Sequence, residues 1–182
     1  MVLSDRSIRE KLVKKEIIIQ PVEDWQIGPS SVDLHLNSDF AKLRESDFNR
    51  IGGIKKPIDL NKKINYDYFD IDNYHLILKP KQFILANTIE RIKLPDNICA
   101  SVQNRSSIGR LGLFIENAGW IDPGFEGHIT LELFNAGNIP IKLVKGIKLC
   151  QIIFSELDRE VDKSYNGRYL NQEGVTGSRF KI

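Results

Sequence analysis

Between Asn104 and Glu132 the chain reads NRSSIGRLGLFIENAGWIDPGFEGHITLE, and the residue types best suited to chemistry gather there. Two adjacent hydroxyls, Ser106 and Ser107, stand between Arg105 and Arg110. Ser-Ser followed by Ile-Gly-Arg-Leu predicts a short helix whose first turn carries the hydroxyls. A helix start offers unpaired backbone N–H groups and a positive dipole end, which suits a phosphate. Arginine can take phosphate oxygens in fork geometry. The alternative stays open that Ser106 only caps a helix and the arginines are solvated. Asp122-Pro123-Gly124 predicts a tight turn. In Gly127 to Phe134, strand alternation puts His128, Thr130 and Glu132 on one face and Ile129, Leu131 and Leu133 on the other, toward a core. Glu132 is then a carboxylate on a rigid strand, a suitable mount for a general acid or base. An exposed strand glutamate is the plain alternative.

Several chemistries lack their residues. No GxxxxGK[ST] loop occurs, and no GxGxxG after a strand. The GxSxG elbow is missing, as is the HxE and PCxxC zinc signature of nucleobase deaminases. Three scattered histidines and two lone cysteines have no metal-ligand spacing, so a catalytic zinc is not expected. Any metal is expected to be Mg²⁺ carried on a nucleotide's phosphates. Cys99 and Cys150 lie in apolar, strand-like runs and read as small buried hydrophobes of a reducing compartment; a disulfide between them is open but unsupported.

The elements that must position these residues read as mainly β. A chain of 182 residues suits one domain with a real core, and 41% hydrophobic with 27% charged residues is an ordinary globular balance. A net charge of +2 implies no long-range attraction to nucleic acid, so any basic site is local. No run approaches a membrane span and no signal-peptide core opens the chain, leaving the cytoplasm as the default expectation. Ser4 to Lys15 predicts an amphipathic helix capped by Ser4, with Ile8, Leu12 and Val13 on one face. Ile17–Ile19 is a short strand stopped at Gln20-Pro21. After a Gly28-Pro29 turn, Val32, Leu34 and Leu36 alternate with Asp33, His35 and Asn37, and a structural role is favoured for Asp33. Residues 41–73 form a long polar excursion with a short strand or two. From His75 onward, short apolar runs punctuated by Gly and Pro predict a β-sandwich or barrel with a few helices. The tail from about residue 165 reads either as a frayed end or as a segment that folds over a ligand, with Tyr165, Arg168, Tyr169 and Gln172 favouring the second.

Taken together, NRSSIGRLGLFIENAGWIDPGFEGHITLELFNAG resembles the core of the dCTP deaminases, within the trimeric dUTPase superfamily. The likeness runs nearly end to end, through LSDRSI, GPSSVDLHL, the Leu-Pro turn before the core and YNGRYLNQEG. It implies a single domain over residues 1–182, a distorted dUTPase-like β-barrel with a ligand-covering tail. It also implies a homotrimer with active sites at subunit interfaces, and zinc-independent hydrolytic deamination of dCTP. Glu132 would shuttle the proton, while Ser106, Arg110 and the backbone around Ala118 position the water. Arg105, Ser106 and Ser107, with Ile108 and Gly109 in the same turn, would contact phosphates. Trp120 and Asp122 would line the sugar site, with Asp122 holding the deoxyribose. The backbone of Thr130, Leu131 and Glu132 would read the pyrimidine edge. Gln151, Tyr165, Arg168 and Gln172 would close over the triphosphate and its Mg²⁺; Arg168 stands where some relatives have lysine.

Within the family, Ala118-Gly119-Trp120-Ile121-Asp122 is similar to the branch that also cleaves the triphosphate, forming dUMP and diphosphate. A monofunctional deaminase releasing dUTP is the runner-up; a dUTPase alone or a non-catalytic nucleotide-binding regulator are the others. Feedback by dTTP is a further implication. Asn104 replaces a glycine usual before Arg-Ser-Ser, a change that matters if the position needs positive φ.

Overall fold

The computed structural model describes residues 1–51, 54–71, 74–116 and 119–180. The chain opens with helix α1 (Asp5–Val13), whose N-cap Ser4 accepts a bond from the Ser7 N–H at 3.4 Å. Its inward face is Ile8, fully buried, with Leu12 against the core; Val13 faces solvent. Strand β1 (Ile18–Gln20) ends at a cis Gln20–Pro21 bond. Strand β2 (Val32–Leu43) is long and changes partners along its length. The excursion then holds the small hairpin β3 (Arg50–Ile51) and β4 (Ile54–Lys55), followed by β5 (Tyr66–Asp70).

The second half begins with β6 (Leu76–Leu78), β7 (Phe83–Lys93) and β8 (Ile98–Asn104). Helix α2 (Ser106–Gly109) leads into β9 (Leu113–Glu116), and β10 (Trp120–Ile121) precedes the Asp-Pro-Gly turn. Then come β11 (Glu126–Asn135), β12 (Ile141–Leu143) and β13 (Lys148–Glu156). The principal sheet runs β10-β8-β13-β2-β7-β11-β9, with β1 added to β7 and β5 to β2.

Partner exchange in β2 makes the corner of this curled sheet. Residues 32–35 pair with β13, residues 39–43 pair with β5, and the β7 ladder on the other edge shifts register between Leu36 and Phe40. Such shifts bend a strand and let one sheet close on itself. The concave face is apolar: Val32, Leu34, Leu36 and Phe40 from β2 meet Leu131 and Leu133 from β11 and Ile152 and Phe154 from β13, all fully buried. Strict inside-outside alternation holds along β11, the pattern expected for a strand with one packed face. Among the described residues no helix is long and apolar enough to cross a membrane.

Candidate active site

A cavity of about 370 Å³ opens beside β11. From β11 itself Ile129, Thr130 and Glu132 line it, and a register shift against β7 falls between His128 and Thr130. Phe83 and Leu85 of β7 add an apolar wall, and Gly119, Trp120, Ile121 and Asp122 come from β10 and its flanks. Gly119 has φ +60°, a conformation glycine adopts without cost, and its carbonyl accepts the Val102 N–H at 3.1 Å.

The tail covers this cavity. Tyr165, Tyr169, Gln172 and the segment Thr176 to Ser178 complete its lining. Its anchor is the Asp-Pro-Gly turn: the Tyr165 N–H donates to the Pro123 carbonyl at 2.9 Å and the Tyr165 ring lies 6.0 Å from that of Phe125. Gly124, at φ +81°, has no room for a side chain, because a Cβ there would meet Ser164 at 2.7 Å. Further on, the strap runs parallel to β11. The Asn171 N–H donates to the Glu126 carbonyl at 2.7 Å and the His128 N–H to the Gln172 carbonyl at 3.1 Å. Buried Gln172 donates its amide to the His128 carbonyl at 2.5 Å, while its Oε1 has no partner among the described residues. Glu173 pairs with Arg91 and lies 3.5 Å from His128 Nε2.

Among the described residues the strap's pairing reaches His128, and the β9 ladder begins at Glu132 opposite Glu116. Thr130 and Leu131 lie between them, with the Leu131 side chain fully buried in the core.

The sequence-derived candidates fall in two places. Trp120, Asp122, Thr130, Glu132, Tyr165 and Gln172 meet at the cavity. Arg105, Ser106, Ser107, Ile108, Gly109 and Arg110 do not line it, and neither do Gln151 or Arg168. Ala118 lies outside the described residues. Arg105 pairs with Asp33, to which Lys148 also comes within 3.4 Å, and Gln151 stands opposite Asp33 in the β13–β2 ladder. Arg168 donates to the Arg179 carbonyl at 2.9 Å, tying the strap to itself.

Two questions left open about this region are answered, and the hydroxyls do stand in the first turn of α2. The N-cap of α2 is Arg105, without a side-chain bond, so Ser106 is the first helical residue and not the cap; Ser106, Ser107 and Arg110 all face solvent. Asn104 does not occupy a positive-φ position. It ends β8 in extended conformation, and its amide donates to the Leu113 carbonyl at 3.0 Å, stapling the two ends of the loop that carries α2.

Sequence reasoning missed Tyr66, Phe83, Leu85 and Phe125 as lining residues. For Tyr66 a signal existed, the alternating aromatics of Tyr66-Asp67-Tyr68-Phe69 inside an otherwise polar excursion. Burial, with smaller effects from Tyr68, Tyr169 and Glu132, pushes the Tyr66 hydroxyl up and keeps it protonated at neutral pH. A second polar cluster also went unread. Glu90, buried, accepts from the His35 backbone N–H at 2.9 Å, meets His35 Nδ1 at 2.6 Å and accepts from Gln26 at 3.0 Å. It locks β2 to β7 from inside, as a buried polar group with its bonds satisfied can. Cys99 and Cys150 are buried free thiols, both pushed up by burial. Among the described residues no group of three or more His, Cys, Asp and Glu side chains is gathered to hold a metal ion.

By architecture the molecule is a curled, mainly antiparallel β-barrel that closes its own tail over a cavity bearing a carboxylate. The same fold is seen in the crystal structure of 2′-deoxycytidine 5′-triphosphate deaminase from Agrobacterium tumefaciens, with a TM-score of 0.63 at 23% identity. That match covers 84% of this chain and 47% of the other, so this chain spans about half its length. The model of the dCTP deaminase-like family matches residues 2–157, and the chain belongs to that family. It is 48% identical to the "dCTP deaminase, dUMP-forming" of Persephonella marina, over 98% of this chain and 97% of that one. Against the protein of the same name from Aquifex aeolicus it is 48% identical over 100% and 96% of the two chains. For Nanoarchaeum equitans the identity is 43% over 98% and 96%.

Proposed function

We propose that this protein hydrolytically deaminates dCTP and cleaves the triphosphate, releasing dUMP, ammonia and diphosphate. What carries the reading is the near full-length likeness, at 48% identity, to relatives named for that reaction, together with a carboxylate-bearing cavity on β11. Glu132 takes a proton from water as the oxygen adds to C4 of cytosine. It returns that proton to the amino group, the C4–N bond breaks and ammonia leaves. A base on a rigid strand in a partly covered, aromatic-lined cavity suits this work. The backbone of Thr130 and Leu131 would read the pyrimidine edge, and Asp122 would hold the deoxyribose. Gln172, which lines the cavity, offers a buried acceptor without a partner among the described residues.

Ser106 and Arg110 would reach this cavity from the partner subunit of a homotrimer, with Arg105 and Ser107 on the phosphates. Support comes from the absence of the α2 residues from their own chain's cavity lining and from exposed apolar side chains: Trp120 at the cavity is 59% exposed, and Leu111 and Phe114 after α2 are 68% and 43% exposed. Mg²⁺ would enter held by triphosphate oxygens and water, as suits an ion that dehydrates reluctantly. Cleavage to dUMP fits the φ of +60° at Gly119, which a side chain in the other branch would strain. Incubating the protein with dCTP and Mg²⁺ and separating the products should give dUMP, diphosphate and ammonia in equal amounts. Accumulation of dUTP would overturn the second half of the reaction, and absence of ammonia release the first.

A further inference from the structure

Three successive backbone N–H groups of the strap are captured by side-chain oxygens. Thr176 donates to Thr130 Oγ1 at 3.1 Å and Gly177 to the Tyr68 hydroxyl at 3.3 Å. The Ser178 N–H donates to the Tyr66 hydroxyl. Tyr66 and Tyr68 share one face of β5, with ring centroids 6.3 Å apart. On the opposite face Phe69 stacks on buried Phe40, which holds the strand to the barrel. Gly177 lies flat against the Tyr66 ring: a Cβ there would sit 2.5 Å from Cδ2 and 2.6 Å from Cε2. Tyr66, Gly177 and Ser178 line the same cavity as Glu132.

We propose that Tyr66 and Tyr68 are positioning residues, a dock on the excursion's outer strand that holds the C-terminal strap closed over Glu132. The inference rests on reading the cavity as the deaminase site. Among the described residues, parallel pairing with β11 holds the strap as far as Gln172; from Thr176 onward it is held to the barrel by these side-chain bonds and the Gly177 contact, and to itself by the bonds of Arg179 with Arg168 and Tyr169. A neutral Tyr66 hydroxyl accepts the Ser178 N–H and keeps a proton to donate into the cavity. Binding to a site that must first close is weakened by the fraction of time it is open. Each lost bond should shift closure about fivefold, and the two together about 25-fold.

Amide hydrogen exchange on the full chain without nucleotide tests this, using wild type, Y66F/Y68F and Gly177→Ala. In Y66F/Y68F the Thr176, Gly177 and Ser178 amides should exchange about 25-fold faster. Thr176 is included although its own acceptor, Thr130, is intact, because the strap lifts as a unit. Gly177→Ala, which leaves the barrel untouched, should act in the same direction and decides the matter if the tyrosine variants disturb β7 or β11. With dCTP, the KM of Y66F/Y68F should rise, by a smaller factor than the exchange rates because it follows the closed fraction, while kcat moves less. Strap amides at wild-type rates in Gly177→Ala, or acceleration confined to Gly177 and Ser178 in Y66F/Y68F, would overturn the dock. A wild type that exchanges as described but releases no ammonia from dCTP would sink the deaminase reading and leave the dock standing.

Discussion

Glu132 and Asp39 are both carboxylates on long strands, and their surroundings give them opposite characters. Glu132 faces the cavity. Replacing it with Gln keeps shape and hydrogen-bonding capacity but removes the base, so ammonia release should fall by at least about 100-fold. Nucleotide binding, followed by calorimetry, should survive. Asp39 stands directly opposite Asp70 in the β2–β5 ladder. Burial, then the hydrogen bond and negative charge of Asp70, push its carboxyl up. A folded-state value above the unfolded one means that protons favour the fold: the contribution is complete below the ordinary aspartate range and is lost as pH rises through the raised value. At neutral pH the pair is therefore a cost. Asp39→Asn should raise the Tm by a few degrees at pH 7 and change it little at pH 3.5, measured by thermal scans at the two pH values.

At the scale of elements, β11 is the strand on which everything converges: β7 on one edge, β9 and the strap on the other, the cavity on its outer face. Its last residue, Asn135, is fully buried and closes the end of the barrel. The amide donates to the Leu78 carbonyl at 3.0 Å and the Ile139 carbonyl at 2.9 Å, and its oxygen accepts the Gly137 N–H at 3.0 Å. These bonds tie the principal sheet to the separate β12–β6 pair. Asn135→Ala would strand the buried Leu78 carbonyl and remove two further bonds to half-buried and exposed backbone, and should destabilise the protein by about 2 kcal/mol. Denaturant unfolding should show the loss, with the nucleotide site's chemistry intact in the remaining folded fraction.

For the whole molecule, the separation of α2 from its own chain's cavity lining is the feature with consequences. If catalytic sites form between copies, a chain carrying Glu132→Gln and a chain carrying Arg110→Ala are each inactive alone but complementary. Unfolding and refolding them together at equal amounts should restore activity to about a quarter of wild type, since one in four interfaces then joins two intact halves. No recovery would place both halves of the site in one chain.

Much of this was legible in the residues. Alternation in β11 put Glu132 outward, Ser4 announced α1, and the Pro and Gly stops marked most strand ends, because these features depend on local sterics and on one buried face per element. The Asn104–Glu132 stretch held both halves of the candidate site in one run of letters. Tertiary structure decided that the halves part company, since β9, β10 and the turn between β8 and β11 carry α2 to one side and Glu132 to another. It also decided that Asn104 is a staple in an extended strand and that Tyr66 joins the cavity. The parting of the halves and the arrival of Tyr66 depend on pairings between residues more than 40 positions apart, such as Thr130 with Asn87 and Tyr66 with the strap, which no local pattern encodes. The residue types determined what chemistry the chain can do; the closing of one sheet upon itself determined which of those residues can do it together.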